Sequence, residues 1–410
     1  DLHKEYRRQR QMCIRDREII KMDVRKIAAS YNDYLVEMRR HFHANPEVSG
    51  KEYETSKTIK AELDKYGIEW RPCGLETGVL ATVKGAKPGK TILLRGDMDA
   101  LSIQEETGAV YASRNDGVMH ACGHDCHTAS MLTVARLLND HKDELCGTVK
   151  LAFQPAEEIA AGAKSMIEQG AMEGVDGCFA IHVWSDVEAG KCSIEVGPRM
   201  AAADMFVIDV HGRGGHGSAP HQCVDAVITT AAIAQNLQSI VSREINPADA
   251  AVLSVGKMVS GTRWNIISEY GVLEGTTRYY NPELTAVFDE AISRVSSQTA
   301  ASFRAEASVK YDHLIAPTVN EPVFTDMAAR AAQKVLGEDC LYHQPAVTGG
   351  EDFSFFLEQA PGAIAFMGVR NEAKGACWAQ HHCKYDVDED VLINSVMLYA
   401  QVAQDFNSGC

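Results

Sequence analysis

Hydrophobic positions along this chain recur at two spacings, and the changes between them mark its elements. Residues 27–43 carry apolar side chains at helical spacing, and Asn45 and Pro46 end the run. TILL at 91–94 is a short apolar run of the buried-strand type, leading into Arg95, Gly96, Asp97, Met98 and Asp99. Helical periodicity returns over 127–138, with small residues first. GTVKLAF at 147–153 reads as a strand that stops at Gln154 and Pro155, because proline has no N–H for the ladder. A helix is predicted over 160–169 and a strand over GCFAI at 177–181, ending at His182. Strands alternating with helices predict an α/β domain with a mostly parallel sheet. Ligands of such sheets bind outside the carboxyl ends of the strands. Asp97, Asp99, Glu157, Glu158 and His182 are all expected just past such ends.

From about residue 204 the pattern changes. DMFVIDVHG (204–212) is a strand, 225–242 a helix, AVLSVGKMV (251–259) and YGVLEGTTRY (270–279) strands, 284–305 a long helix and ASVKYDH (307–313) a strand. The order βαββαβ suffices for a small independent domain of the ferredoxin-like plan. Candidate chemistry continues beyond it, so it is read as an insertion. Residues 22–203 and 316–410 form the predicted catalytic domain, and 204–315 the predicted inserted lid. The first 21 residues are basic in an otherwise acidic chain, and MCIRDR at 12–17 resembles translated adapter sequence. The leader is therefore set aside, with the protein proper expected from Met22.

Composition narrows the function classes. The chain has 410 residues and a net charge of −16, which argues against nucleic acid or an anionic membrane as partner. An anionic small substrate stays possible, because bound cations and one arginine reverse the local field. No apolar run approaches the roughly 20 residues of a membrane helix, and no secretory leader pattern is present. The 12 cysteines follow no framework, so thiols in a reducing cytoplasm are expected. Most are small core fillers, with Cys122 the exception.

Chemistry concentrates in HACGHDCHT (120–128), QPAEE (154–158) and AIHVW (180–184). Thiolate, imidazole and carboxylate are the side chains that hold divalent cations, and all three kinds occur here. The combination predicts a hydrolase that uses metal-activated water. Gly123 lets Cys122 and His124 face one ion, and a thiolate, with several lone pairs, can bridge two. Neighbouring side chains in an extended segment point opposite ways, so one of Glu157 and Glu158 is free for proton transfer. Asp97 and Asp99 can ligate metal, orient a ligand imidazole or cap the next helix. Of His381 and His382 one is a candidate ligand. The glycine-dense run 212–221 lacks a phosphate-loop ending, and its His216 can donate to an oxyanion. Asn265 and Arg278 can hold a substrate carbonyl or carboxylate. A closed structural zinc module does not fit these spacings.

Together RRHFHANPEVSGKE (39–52), RGDMDAL, MHACGHDCHT, FQPAEE, AIHVW, GGHGSAPH, GTRWNIISE, GTTR, TGGEDFSFF and HHCKYD resemble the M20 metallopeptidase family, in its amidohydrolase branch. That branch holds hippurate hydrolases, N-acyl-amino-acid amidohydrolases and auxin-conjugate hydrolases. The resemblance implies two divalent ions (Zn2+ or Mn2+, also Co2+), a metal-bridged hydroxide, and a lid domain through which the chain forms a homodimer. Cys122 is then the shared ligand, with His124, Glu158, His182 and His381 as the other ligands. Glu157 is the general base and acid, and Asp99 supports a ligand imidazole. His216 reaches the scissile carbonyl, often across the dimer, while Asn265 and Arg278 grip the substrate. The implied substrate is a small N-acyl-amino acid. A carboxypeptidase or dipeptidase of the same family is the alternative, and a non-catalytic amino-acid-binding relative a weaker one. Cys383 stands where the family usually has proline, and Gly96 where it usually has alanine.

Overall fold

The computed structural model describes residues 22–407, so the expectation for the leader lies outside the described residues. Helices α1 (Val24–Ala28), α2 (Asn32–Ala44) and α3 (Tyr53–Lys65) come first. The helix expected over 27–43 is interrupted by a tighter turn at Ala29–Tyr31, where buried Tyr31 donates its hydroxyl to Asp140 Oδ2 at 2.8 Å. The chain continues through β1 (Glu69–Pro72), β2 (Val79–Lys84), β3 (Lys87–Asp97), α4 (His124–Asp140), β4 (Cys146–Gln154), α5 (Gly162–Glu168) and β5 (Gly177–Glu188). Short strands β6 (Cys192–Ser193) and β7 (Gly197–Met200) lead to the second unit.

That unit contains β8 (Ala202–His211), β9 (Gly215–His216), α6 (Ala226–Ser239), β10 (Ala251–Ser260), β11 (Ile266–Ile267), β12 (Tyr270–Tyr279), α7 (Leu284–Ser302) and β13 (Glu306–Ile315). Its four-stranded sheet has the order β10-β12-β8-β13, antiparallel throughout. Burial alternates along β8, so Phe206, Ile208 and Val210 face Ile233, Leu237, Phe288 and Ile292 of the two helices. This is the ferredoxin-like plan read from the sequence, and its core is a cluster distinct from that of the rest of the chain.

The chain returns through β14 (Thr318–Asn320), α8 (Pro322–Leu336), α9 (Ser354–Leu357), β15 (Gly362–Arg370) and α10 (Ile393–Asn407). The large sheet has the order β1-β2-β4-β3-β5-β15-β6. Its middle strands β4, β3, β5 and β15 run parallel, with antiparallel strands at both edges. Alternate residues serve opposite faces. Ile92 and Leu94 pack in the cluster with Met131, Leu138 and Val402, whereas Leu93 joins Met166, Phe353 and Phe356 on the other side. Both faces are covered, which is why these strands read as continuous apolar runs.

One expectation is corrected. His182 does not follow the end of its strand, because parallel pairing with β15 carries β5 on to Glu188, with Phe366 opposite His182. The pairing of β5 with β3 stops earlier, at Ala180 opposite Arg95. Beyond that pair the sheet opens, and His182 lines the opening from within its strand.

Candidate metal centre

α4 starts three residues before its periodicity predicts, directly after Gly123, whose φ of 92° lies in the left-handed region. A Cβ there would meet Val183 Cγ2 at 2.3 Å and the Tyr385 hydroxyl at 2.8 Å, so the turn requires glycine. The turn sets Cys122 and His124 side by side. Ligand atoms of Cys122, His124 and His182 lie within 4.8 Å of one another, with Cys122 Sγ 3.5 Å from His182 Nε2. The ligand atoms of a second group, Cys122, Glu158 and His381, also lie within 4.8 Å of one another. The two groups have Cys122 in common.

Hydrogen bonds fix which nitrogen of each ring faces the cluster. Nδ1 of His124 lies 2.9 Å from the Asp99 carbonyl oxygen, which only accepts, so Nδ1 carries the proton; the Asp99 carboxylate stands 3.1 Å away. Nδ1 of His182 likewise donates to the Val183 carbonyl at 2.7 Å. In the neutral rings both Nε2 lone pairs therefore face inward. Nε2 of His124 and Oε1 of Glu158 are buried without any hydrogen-bond partner. Orphaned acceptors are costly unless a cation or donor meets them. A sulfur, two imidazole nitrogens and a carboxylate oxygen converging with free lone pairs fit divalent cations.

His381 has a φ of 64° and lies with Nε2 3.5 Å from Glu158 Oε1. His382 turns away, stacked on Trp378 at 4.3 Å between ring centroids, with its Nδ1 accepting the Lys384 N–H. The geometry thus separates the two histidines that the sequence leaves equivalent.

Two other acid- and imidazole-rich groups already have partners within the protein. His127 donates from Nδ1 to Asp97 at 2.5 Å and accepts the Val183 N–H on Nε2 at 2.8 Å, so neither nitrogen is available. Glu351 and Asp352 share Arg95, at 2.7 and 2.9 Å, and Arg95 also pairs with Asp97. All four residues are buried. Sequence reasoning passed over Arg95, Glu351 and Asp352 as a unit, although each sits inside a quoted motif. Charged residues set directly against the apolar stretches TILL (91–94) and FSFFL (353–357) are the signal that could have found them.

Glu157 and Glu158 do not occupy an extended segment as expected. They lie in a turn closed by the Ala160 N–H on the Glu157 carbonyl at 2.8 Å. Both carboxylates consequently approach His124 Nε2, at 4.0 and 3.9 Å, instead of diverging. Burial, then the charges of Glu351, Asp352 and Glu158, push the Glu157 carboxyl well above the usual carboxylate range. Burial and the neighbouring His127 hold the His182 imidazole well below its ordinary value.

Cys122, Glu157, Glu158, His182 and His381 open onto a cavity of about 590 Å³ lined also by Arg278 and by Met200, Ile315 and Val347. Arg278 therefore shares a space with the cluster. His216 and Asn265 do not line it. They lie at the small β9–β11 pair of the inserted unit, where His216 Nδ1 accepts the Ser218 N–H at 3.1 Å and the Asn265 carbonyl accepts the Gly217 N–H at 3.0 Å.

Comparison with known proteins places the chain in a family. The model of peptidase family M20/M25/M40 matches residues 93–405. The chain is 40% identical over 395 residues to thermostable carboxypeptidase 1 of Saccharolobus solfataricus, covering 95% of this chain and 99% of that one. It is 40% identical over 366 residues to N-acetyl-L-cysteine deacetylase of Bacillus subtilis, covering 89% and 86%. Among solved structures, the YXEP protein of Bacillus subtilis, described as a dinuclear metal-binding peptidase of the M20 family, superposes with a TM-score of 0.82 at 35% identity, covering 93% and 100%. The chain belongs to peptidase family M20/M25/M40 and is a hydrolase of amide bonds.

Proposed function

We propose that this protein is a two-metal amidohydrolase that cleaves N-acyl-amino acids into a carboxylic acid and a free amino acid. The observation that carries the reading is the pair of donor groups sharing Cys122, beside a buried Glu157 and a cavity that also contains Arg278. Cys122, His124 and His182 would hold one cation, and Cys122, Glu158 and His381 the other. Their mixed sulfur, nitrogen and oxygen donors suit Zn2+, Mn2+ or Co2+. Bound there, divalent cations supply Lewis acidity toward water and the amide carbonyl.

The protein's own groups do the rest. Glu157 takes a proton from the attacking water and returns it to the leaving amine, so the amide C–N bond breaks as a C–O bond forms. Asp99 keeps the His124 ring in the tautomer that presents Nε2. Arg278 grips the substrate carboxylate through its fork, and Asn265, with its amide oxygen buried and unpartnered, offers a further contact. His216 donates to the developing oxyanion.

Residues 204–315 serve as the lid, and 22–203 with 316–410 as the catalytic domain. His216 and Asn265 act on the cavity of a second copy, in a homodimer joined through the lids. This accounts for their absence from the lining of the cavity in their own chain. It also accounts for exposed Ile228, Met258, Val259 and, above all, Trp264, which is 89% exposed near the unpaired edge strand β10. A cytoplasmic location accords with Cys73, Cys178 and Cys223 being free thiols, and among the described residues no helix is long and apolar enough to cross a membrane.

Carboxypeptidase activity is the second reading, favoured by the carboxypeptidase named above. A panel assay on metal-reconstituted enzyme separates the two. Hippurate and N-acetyl amino acids turned over in preference to N-blocked and free dipeptides supports the amidohydrolase. The reverse order assigns a peptidase.

A further inference from the structure

The turn that carries Glu157 is held from both sides. Ala156 has a φ of 52°, in the left-handed region that a residue with a Cβ enters only at a cost. Its N–H is donated to Glu52 Oε1 at 2.9 Å. On the other side, the Glu158 N–H is donated to Asp99 Oδ2 at 3.1 Å. Glu157 stands between these two anchored peptide groups.

Glu52 comes from a distant segment, the loop that enters α3. It is fully buried, and it does not line the cavity. Oε1 also accepts the Gly50 N–H at 2.8 Å, and Oε2 accepts the Thr77 hydroxyl at 2.8 Å. The donors are thus two backbone N–H groups and one hydroxyl, and among the described residues no cation pairs with this carboxylate. An unpaired carboxylate in the interior is expensive, and an apolar side chain would fill the space without that expense. Its distinguishing feature is reach: it joins the start of α3, the Thr77 segment and the Ala156 peptide. The same loop supplies Ser49, whose hydroxyl donates to Asp99 Oδ2 at 2.6 Å. One loop therefore supports, through two carboxylates, both the Glu157 turn and the His124 ring.

We propose that Glu52 is the positioning residue for Glu157: by accepting the Ala156 N–H it locks the left-handed turn that aims the Glu157 carboxylate at the cavity. The inference rests on the reading of Glu157 as general base.

Two conservative variants separate reach from charge. Glu52→Gln keeps an acceptor oxygen at the same distance and loses the charge. Glu52→Asp keeps the charge and is one methylene too short. Assayed as metal-loaded full-length enzyme, the Gln variant should keep kcat within about threefold, while the Asp variant drops at least about tenfold with KM within about twofold, since small misplacements of a catalytic group act on kcat. Both should retain the parent's metal content. Thr77→Val, which frees the other carboxylate oxygen, should lower kcat about threefold. Parental kcat in Glu52→Asp or in Thr77→Val overturns the inference. So does a Gln variant as slow as the Asp variant, or metal lost in step with activity. Glu157→Gln is assayed alongside. If it turns over normally, the general-base reading fails and this inference with it. If it is inactive while Glu52→Asp is unimpaired, only the positioning role is lost.

Discussion

The imidazole Nε2 of His381 lies 3.5 Å from Oε1 of Glu158, whereas the ring of the adjacent His382 is stacked on Trp378. Loop geometry near the end of the chain thus selects one histidine of the pair. His381→Ala should lose about one metal equivalent and at least about 10²-fold in kcat/KM, whereas His382→Ala should stay within about threefold of the parent. Metal analysis and steady-state kinetics on the two variants decide it, and equal losses would remove the distinction.

Cys122 is common to both donor groups, and Glu158 belongs to one of those two. Cys122→Ala should therefore bind less than about half an equivalent of metal at concentrations that saturate the parent, and Glu158→Ala about one equivalent. Two ions retained in Cys122→Ala would end the shared-ligand assignment.

Glu157→Gln should bind metal like the parent while kcat falls at least about 10²-fold, because the amide holds the same space but takes no proton. A variant that is inactive and also metal-depleted would instead place Glu157 among the ligands.

The proposed role of His216 across a dimer makes a different prediction. If His216 serves the neighbouring copy, Glu157→Gln and His216→Ala enzymes, each inactive alone, should regain activity when mixed and allowed to exchange subunits. A hybrid dimer has one site with both residues intact, so a statistical mixture approaches about a quarter of parental activity, as half of the dimers carry one good site of two. No recovery, with exchange demonstrated by a size or mass label, would place His216 in its own chain's site or outside the reaction.

Arg95 is buried among Asp97, Glu351 and Asp352. Arg95→Met should destabilise the folded chain by about 3–5 kcal/mol, since it leaves buried carboxylates without a countercharge. Urea unfolding of metal-loaded parent and variant measures this. A loss under about 1 kcal/mol would mean that the carboxylates are neutral in the fold.

Much of this architecture was legible in the chain. The alternation of buried strands with amphipathic helices identified the α/β domain, and the βαββαβ order identified the inserted unit, because both patterns are local. That Cys122, His124, Glu157, Glu158 and His182 belong to chemically dense segments was legible as well, since few sequences gather thiol, imidazole and carboxylate so closely. What was not legible depends on contacts between remote segments. The pairing of Phe366 with His182 prolongs β5 and moves that histidine inside its strand. The Val183 N–H and Asp97 occupy both nitrogens of His127, which on spacing alone is as good a candidate as His124.

By itself, then, the sequence determined the elements, the order of the two units and the chemical kinds of side chain available. Tertiary structure alone decided which lone pairs face one another, which buried carboxylates share Arg95, and which backbone turn is held for Glu157 by Glu52. Periodicity and turn chemistry act over a few residues along the chain. Ligation, charge compensation and positioning act over a few ångströms in space, between residues brought together only when the sheet and its connections have formed.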